Sequence, residues 1–264
     1  MYNVKIIEYP YSAQIRIYSE LQNAHDNPPP KYTTEPFENT KVRDYGVGTF
    51  NSNNELSIKN SIARTQRKIH DYARSFSPSW FITLTYSPKA VVSRIDYNDC
   101  IRKFLNWISN QRKRFAKDLI YLAVYEECSN KQGIHFHMLA DQTDNIPFVF
   151  SGKYNKRGQK IYSVKNWHFG FSTALKIQTN EIDHTVAYLT KYLVKNYYST
   201  NFPKGSHKYF ASRNIPRPVE TKLIIPPSEL DDTLTQIIDS LGKDVVYISE
   251  HQGYYVDVKY IELK

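Results

Sequence analysis

Leu119-Ile-Tyr-Leu-Ala-Val-Tyr-Glu-Glu127 and Ile134-His-Phe-His-Met-Leu-Ala140, with the polar stretch Cys128-Ser-Asn-Lys-Gln-Gly133 between them, decide the fold. Both runs are short, apolar and rich in aromatic or β-branched residues. The connecting stretch has the Asn and Gly that turns favour, so the pair reads as two antiparallel strands of a hairpin. Working outward, Trp80-Phe-Ile-Thr-Leu-Thr-Tyr86 has the same strand composition and stops at Ser87-Pro88. Residues 97–116 carry Ile101, Phe104, Leu105 and Ile108 at helical spacing. A further strand is expected over 169–178. A helix follows over 181–197, opened by Glu181 and Asp183 where the helix dipole favours acidic groups. Residues 61–75 read as another helix, with Arg64, Arg67, Lys68 and Arg74 opposite Ile62, Ile69 and Tyr72. Helices set among hairpin-like strands point to an α+β domain: an antiparallel sheet with flanking helices, of the ferredoxin or RNA-recognition sort.

Outside this stretch the chain reads as appendages. Alternation over 2–8 and 14–18 predicts two strands, and Pro28, Pro29, Pro30 and Pro36 mark a loop. Residues 1–60 are therefore an N-terminal extension, 61–200 the central domain, and 201–264 a C-terminal appendage. The appendage has a helix over 228–241 and a hairpin turning near Gln252-Gly253.

Charge and aromatics indicate the partner. Thirty-five Lys and Arg against 26 Asp and Glu give a net charge of +9, which favours an anionic ligand, nucleic acid first. Twenty-two tyrosines, many beside Lys or Arg, suit a single strand, whose phosphates take the charge and whose bases stack on rings. Two clusters are candidates for phosphate contacts: Arg112, Lys113 and Arg114 at the end of the second helix, and Lys153, Lys156 and Arg157 in the insertion after the hairpin. The only cysteines, Cys100 and Cys128, form no CxxC pair, so neither a disulfide framework nor a thiolate zinc site is indicated. No apolar run approaches a bilayer span, and residues 1–20 lack a signal-peptide core; the expected compartment is the cytoplasm.

Two groups carry possible chemistry. His135 and His137 alternate on a strand and so share a face. Two imidazoles and one carboxylate make a metal site with open positions for water or substrate oxygen. Glu126 and Glu127 lie across the turn and point to opposite faces, so only one of them can serve. On the last helix of the central domain, Tyr188 and Tyr192 are four apart, as are Lys191 and Lys195, so each pair occupies nearly one face. A tyrosine hydroxyl can attack a phosphodiester once the phosphate is polarised.

In order along the chain, Phe81-Ile-Thr-Leu-Thr-Tyr86, His135-Phe-His137 and the tandem Tyr188-Leu-Thr-Lys191-Tyr192-Leu-Val-Lys195 resemble the three motifs of the HUH endonucleases. The doubled Tyr-x-x-Lys resembles the two-tyrosine branch, in particular the replication initiators of microviruses, small single-stranded DNA phages. Trp167-His-Phe-Gly-Phe-Ser172 is also similar to that group, and the resemblance spans about residues 62–200.

The resemblance implies an HUH palm fold and a metal-dependent nickase for rolling-circle replication. His135, His137 and an acidic neighbour would hold Mg²⁺ or Mn²⁺, with Glu126 preferred over Glu127. Tyr188 or Tyr192 would attack the origin single strand, leaving a 5′-phosphotyrosine and a 3′-OH for a host polymerase, and would later rejoin the ends. No helicase motif of the GxxxxGK[ST] kind occurs, so unwinding is expected from a host helicase. Neither an organic cofactor nor a membrane is implied. Thr83 and Thr85 could contact DNA or simply pack the strand, and His168 and His184 read as ordinary histidines. The alternatives are a plasmid initiator or transposase of the same superfamily, and a non-catalytic single-strand-binding module. A Gly-aromatic RNP strand, which the last would display, is absent from the sequence.

Overall fold

The computed structural model describes residues 1–23, 47–87, 96–127, 133–178, 181–197, 207–252 and 256–264. In chain order the elements are β1 (Tyr2–Glu8), β2 (Ala13–Gln22), α1 (Val47–Phe76), β3 (Trp80–Thr85), α2 (Tyr97–Arg114), β4 (Ile120–Glu127) and β5 (Ile134–Asp141). Then follow β6 (Phe148–Tyr154), β7 (Lys160–Val164), β8 (Ser172–Lys176), α3 (Ile182–Tyr197) and β9 (Phe210–Ala211). The chain closes with β10 (Val219–Leu223), α4 (Leu230–Leu241), β11 (Val245–His251) and β12 (Val258–Leu263). Contacts divide it into two compact units, 54–217 and 1–53 with 218–264.

The larger unit is a seven-stranded antiparallel sheet in the order β6-β7-β8-β3-β5-β4-β9. Side-chain alternation gives it two different faces. Leu84, Ala123, Tyr125, Phe136 and Met138 turn one way and pack against Phe104, Trp107 and Ile108 of α2. The Phe104 and Phe136 rings stack at 4.1 Å. Phe81, Leu122, Val124 and Leu139 turn the other way, against Ile69, Ala73 and Phe76 of α1 and Val186, Leu189 and Leu193 of α3. The domain is thus three layers, with α2 on one side of the sheet and α1 and α3 on the other. Asp96 caps α2, its side chain accepting from the Asp99 backbone N–H at 3.1 Å.

The expected α+β architecture, an antiparallel sheet with flanking helices, is the one observed. Local boundaries differ. The helix expected over 61–75 begins at Val47. The strand expected over 169–178 shortens to Ser172–Lys176; the residues before it cross to the end of β3 in the same register but are interrupted at Gly170. The Thr85 N–H donates to the Phe171 carbonyl, the Ser87 N–H donates to that of Phe169, and the Trp167 indole donates to that of Thr85. The insertion between β5 and β8, which carries no clear strand pattern, forms the β6–β7 hairpin at the sheet edge.

Gly170 makes that crossing possible. Its φ is +155°, and a Cβ there would stand 2.2 Å from the Thr85 carbonyl oxygen and 2.6 Å from the Ser87 nitrogen. Both neighbours are backbone and cannot step aside cheaply. Gly170→Ala is expected to cost about 3 kcal/mol, read as a lowered denaturation midpoint at unchanged m-value; a midpoint equal to the parent's would refute the close approach.

In the smaller unit the sheet order is β10-β1-β2-β12-β11, so strands from the two ends of the sequence pair with each other, β1 with β10 and β2 with β12. Val4, Ile6, Ala13, Ile15, Ile261 and Leu263 form its core, closed by Leu234, Ile237 and Ile238 of α4. The proline-rich stretch Pro28–Pro36, the turn at Gly253 and Cys128 lie outside the described residues. No helix among the described residues is long and apolar enough to cross a membrane.

Candidate active site

The register of three strands builds the site. On β5, His135 stands opposite Glu126 of β4 and Thr85 of β3, and His137 stands opposite Val124 and Thr83. Directly opposed residues of an antiparallel pair point to the same face. Glu126, His135, His137, Thr83 and Thr85 therefore share the face covered by α1 and α3. Glu127 pairs with Ile134 and turns to the other side, so the register brings Glu126 to the histidines and takes Glu127 away.

Each histidine is held at Nδ1 by a threonine. Thr83 Oγ1 lies 3.2 Å from His137 Nδ1, and Thr85 Oγ1 lies 2.8 Å from His135 Nδ1. At its other nitrogen, His137 Nε2 meets Glu126 Oε2 at 3.0 Å. A carboxylate only accepts, so a neutral His137 donates from Nε2 to Glu126 and accepts at Nδ1 from the Thr83 hydroxyl. His137 is buried and its ring stacks on Tyr192 at 4.0 Å and 9°. Tyr188 meets Tyr192 edge-on at 4.9 Å and also packs on Phe81. The helix bearing the tyrosines is anchored by Val186, Leu189 and Leu193 on the sheet and by the Arg74 Nε–Asp183 Oδ1 pair to α1 at 3.0 Å.

The two tyrosines differ. Tyr188 is 44% exposed, whereas Tyr192 is half-buried. Burial holds the Tyr192 phenol well above its ordinary range; the hydrogen bond to Tyr188, its electrostatic coupling to that neighbour and the carboxylate of Glu126 push the same way. Lys191 is exposed on the same helix. Lys195 belongs to α3, but its side chain lies outside the described residues.

The donor set suits a divalent cation in chemistry. His135, His137 and Glu126 supply two nitrogens and an oxygen on one face. Two ligands of one ion, each about 2.1 Å from it, stand about 3 Å apart at a right angle, the spacing of the His137–Glu126 pair. As the side chains stand, no group of three His, Cys, Asp or Glu among the described residues is drawn together as a complete metal site. The His135 and His137 ring centroids are 6.5 Å apart, so His135 must turn inward to join the other two.

The cationic candidates separate. Lys156 and Arg157 sit at the β6–β7 tip with Lys153 exposed on β6, and Lys156 and Arg157 line a cavity that reaches Tyr188. Arg112, Lys113 and Arg114 end α2, on the opposite layer from the histidines. Arg112 is committed internally, donating to the Leu119 carbonyl at 2.9 Å and to Asn214 Oδ1 at 2.6 Å. His168 lies beside α2 with Trp107 and Gln111, whereas His184 shares a cavity wall with Tyr188.

Thr83 and Thr85 are the site residues that reading the sequence for motifs undervalues. The available signal was spacing: hydroxyls at alternate positions on one strand match imidazoles at alternate positions on another. A hydroxyl can donate to Nδ1 or accept from it, so it serves either tautomer as Nε2 changes partner. Thr83→Val/Thr85→Val is expected to lower the DNA cleavage that the sequence resemblance implies by about 10–100-fold, with Ser at both positions restoring most of it. Single-strand affinity without metal should stay unchanged. Full activity in the valine variant would remove these threonines from the site.

Residues 79–197, from the approach to β3 through the end of α3, match a family model described as Replication-associated protein, of the ORF2 type. The matched stretch contains β3, β4, β5 and α3, and with them each site residue named above from Thr83 to Lys195. No curated protein and no solved structure matches the chain.

Proposed function

We propose that this chain is a rolling-circle replication initiator that nicks single-stranded origin DNA by tyrosine transesterification and rejoins the ends at termination. The observation that carries the reading is the packing of the tandem tyrosines onto the histidine face, with Tyr192 stacked on His137 and Tyr188 at its edge. The likeness of residues 79–197 to a replication-associated protein supports the same reading.

His135, His137 and Glu126 would hold Mg²⁺ or Mn²⁺, which when bound supplies polarisation of the scissile phosphate and charge neutralisation. The chain's own groups do the rest. The Tyr188 or Tyr192 oxygen forms the new bond to phosphorus as the P–O3′ bond breaks. The phenolic proton ends on the departing 3′ oxygen, leaving a 5′-phosphotyrosine and a free 3′-OH. One phosphodiester replaces another, so the reverse reaction closes the strand without ATP. Lys191 and Lys195 stand on the tyrosine helix for phosphate and phenolate charge. Two tyrosines four apart allow one to hold an end while the other cuts. The 3′-OH would prime a host polymerase behind a host helicase, in the bacterial cytoplasm.

The test is a denaturation-resistant protein–DNA adduct. The full chain is incubated with Mn²⁺ and labelled circular single-stranded phage DNA, then resolved under denaturing conditions. A labelled protein band that nuclease and protease digestion together convert to a 5′-phosphotyrosyl peptide is expected. If no such band forms with Mg²⁺ or Mn²⁺, the nickase reading fails.

A further inference from the structure

A cavity of about 620 Å³ opens beside Tyr188, between β3 and β8, the first turns of α3 and the tip of the β6–β7 hairpin. Its walls divide by chemistry. Phe81, Leu175, Ile177 and the Tyr188 ring give an apolar floor, while Lys156 and Arg157 bring two cations against the single carboxylate of Glu181; the Lys176 ammonium lies over Trp80 on the other face of the sheet. The hairpin tip that closes one side is preorganised. Asn155 Oδ1 accepts from the Arg157 and Gln159 backbone N–H groups at 2.9 Å, and Gly158 turns the chain at φ +77°. The tip is latched to the start of the tyrosine helix. Gln159 Nε2 donates to Glu181 Oε2 at 3.2 Å, and Arg157 Nη1 stands 3.7 Å from Glu181 Oε1.

A volume of this size suits one nucleotide-sized ligand. An aromatic and aliphatic floor accepts the flat face of a base, and Lys156 and Arg157 at the rim suit its phosphates. A base inside a duplex cannot enter without leaving its stack, so the matching ligand is an unstacked single-strand nucleotide. Tyr188 forms part of the wall, which puts the occupant within one phosphodiester of the phosphate that this tyrosine would attack.

We infer that this cavity is a nucleotide-binding subsite, holding the single unstacked nucleotide that flanks the scissile phosphate under a hairpin tip latched by Glu181. The inference rests on the nickase reading for the word scissile, but occupancy of the cavity by a base does not. By clamping one flanking nucleotide, the subsite fixes which phosphodiester lies at the tyrosine.

The test separates the two. The full chain is mixed, in EDTA, with pooled single-stranded oligonucleotides of about 15 nucleotides that carry 5-iododeoxyuridine at varied positions, then irradiated; cross-linked peptides are mapped by mass spectrometry. Peptides containing Phe81 or Tyr188 are expected among the main products. Leu175→Trp, which fills the floor, and Lys156→Glu, which reverses an exposed cation at the rim, should each cut that cross-linking by at least about fivefold. Circular dichroism should be unchanged, and the lysine variant decides the matter if the tryptophan disturbs folding. Cross-links found only outside the cavity, or undiminished in the lysine variant, overturn the subsite. Cross-linking at the cavity without any covalent adduct under Mn²⁺ would retain the subsite and sink the nickase; an adduct without cavity cross-links would do the reverse.

Discussion

Replacing Tyr188 by Phe is expected to reduce the first covalent protein–DNA adduct by at least about 10³-fold, because it removes the nucleophile itself. Tyr192→Phe should leave that first adduct within about threefold of the parent, since the ring that stacks on His137 is retained and only the hydroxyl is lost. The asymmetry follows from access. Tyr188 is 44% exposed and faces the nucleotide-sized cavity, whereas Tyr192 is half-buried against His137. A strand arriving from solvent meets Tyr188 first. The Tyr192 hydroxyl becomes necessary when a second cleavage is demanded while the first tyrosine is still esterified. Tyr192→Phe should therefore make the first adduct and fail to resolve it on a substrate with two origin copies. The double variant should make none. Peptide mapping of the adduct reads the outcome directly, and equal losses in the two single variants would abolish the proposed order.

Much of this site was legible from short-range pattern, and the remainder depended on pairing across long separations. That His135 and His137 share a face follows from strand periodicity alone. Whether Glu126 or Glu127 joins them did not, because a one-residue change in the turn after Glu127 exchanges the two. The observed register, Glu126 opposite His135, decides it. Thr83 and Thr85 were visible as strand residues, but nothing local says that β3 is the neighbour of β5 or that Thr85 meets His135. The terminal strands make the same point more strongly. β1 and β10 pair Val4 with Leu223, and β2 and β12 pair Ile15 with Ile261. Alternation revealed β1 and β2 and the hairpin signal the last two strands, but neither revealed the pairing between the two ends, and β10 was legible from neither. Charge was the least informative signal. Arg112 looks like its neighbours Lys113 and Arg114 in sequence, yet its guanidinium is used to hold the Leu119 carbonyl and Asn214.

The layered packing also explains why the site can be rigid on one side and mobile on the other. The histidines sit on a central strand, flanked by β3 and β4 and backed by the Phe136–Phe104 stack. The tyrosines sit on a helix held by three buried aliphatic residues and an Arg74–Asp183 pair. The proposed alternation of nucleophiles would need only small rotations of that helix, with the sheet held in place. Precision is needed where charge is neutralised and movement where nucleophiles alternate, and the two demands fall on different layers.

A His135→Ala/His137→Ala chain is expected to lose at least about 10³-fold in cleavage rate, while its affinity for single-stranded DNA in EDTA stays within about threefold of the parent. Binding and cleavage should separate because phosphate contacts are expected from Lys156 and Arg157 at the cavity, not from the imidazoles. The same variant supplies a test that does not pass through activity. An ion that binds only the folded chain stabilises it by RT ln(1 + [L]/Kd), about 2.7 kcal/mol at a hundredfold excess over Kd. Mn²⁺ should thus raise the melting temperature of the parent and leave that of the double variant unmoved. Glu126→Gln should fall between them, since the amide keeps an oxygen for the ion but loses the charge that accepts from His137 Nε2. Equal Mn²⁺ stabilisation of parent and double variant would place the ion elsewhere. Cleavage surviving in the double variant would show that the phosphate is polarised by other groups, and the histidine strand would then be read as packing around Tyr192.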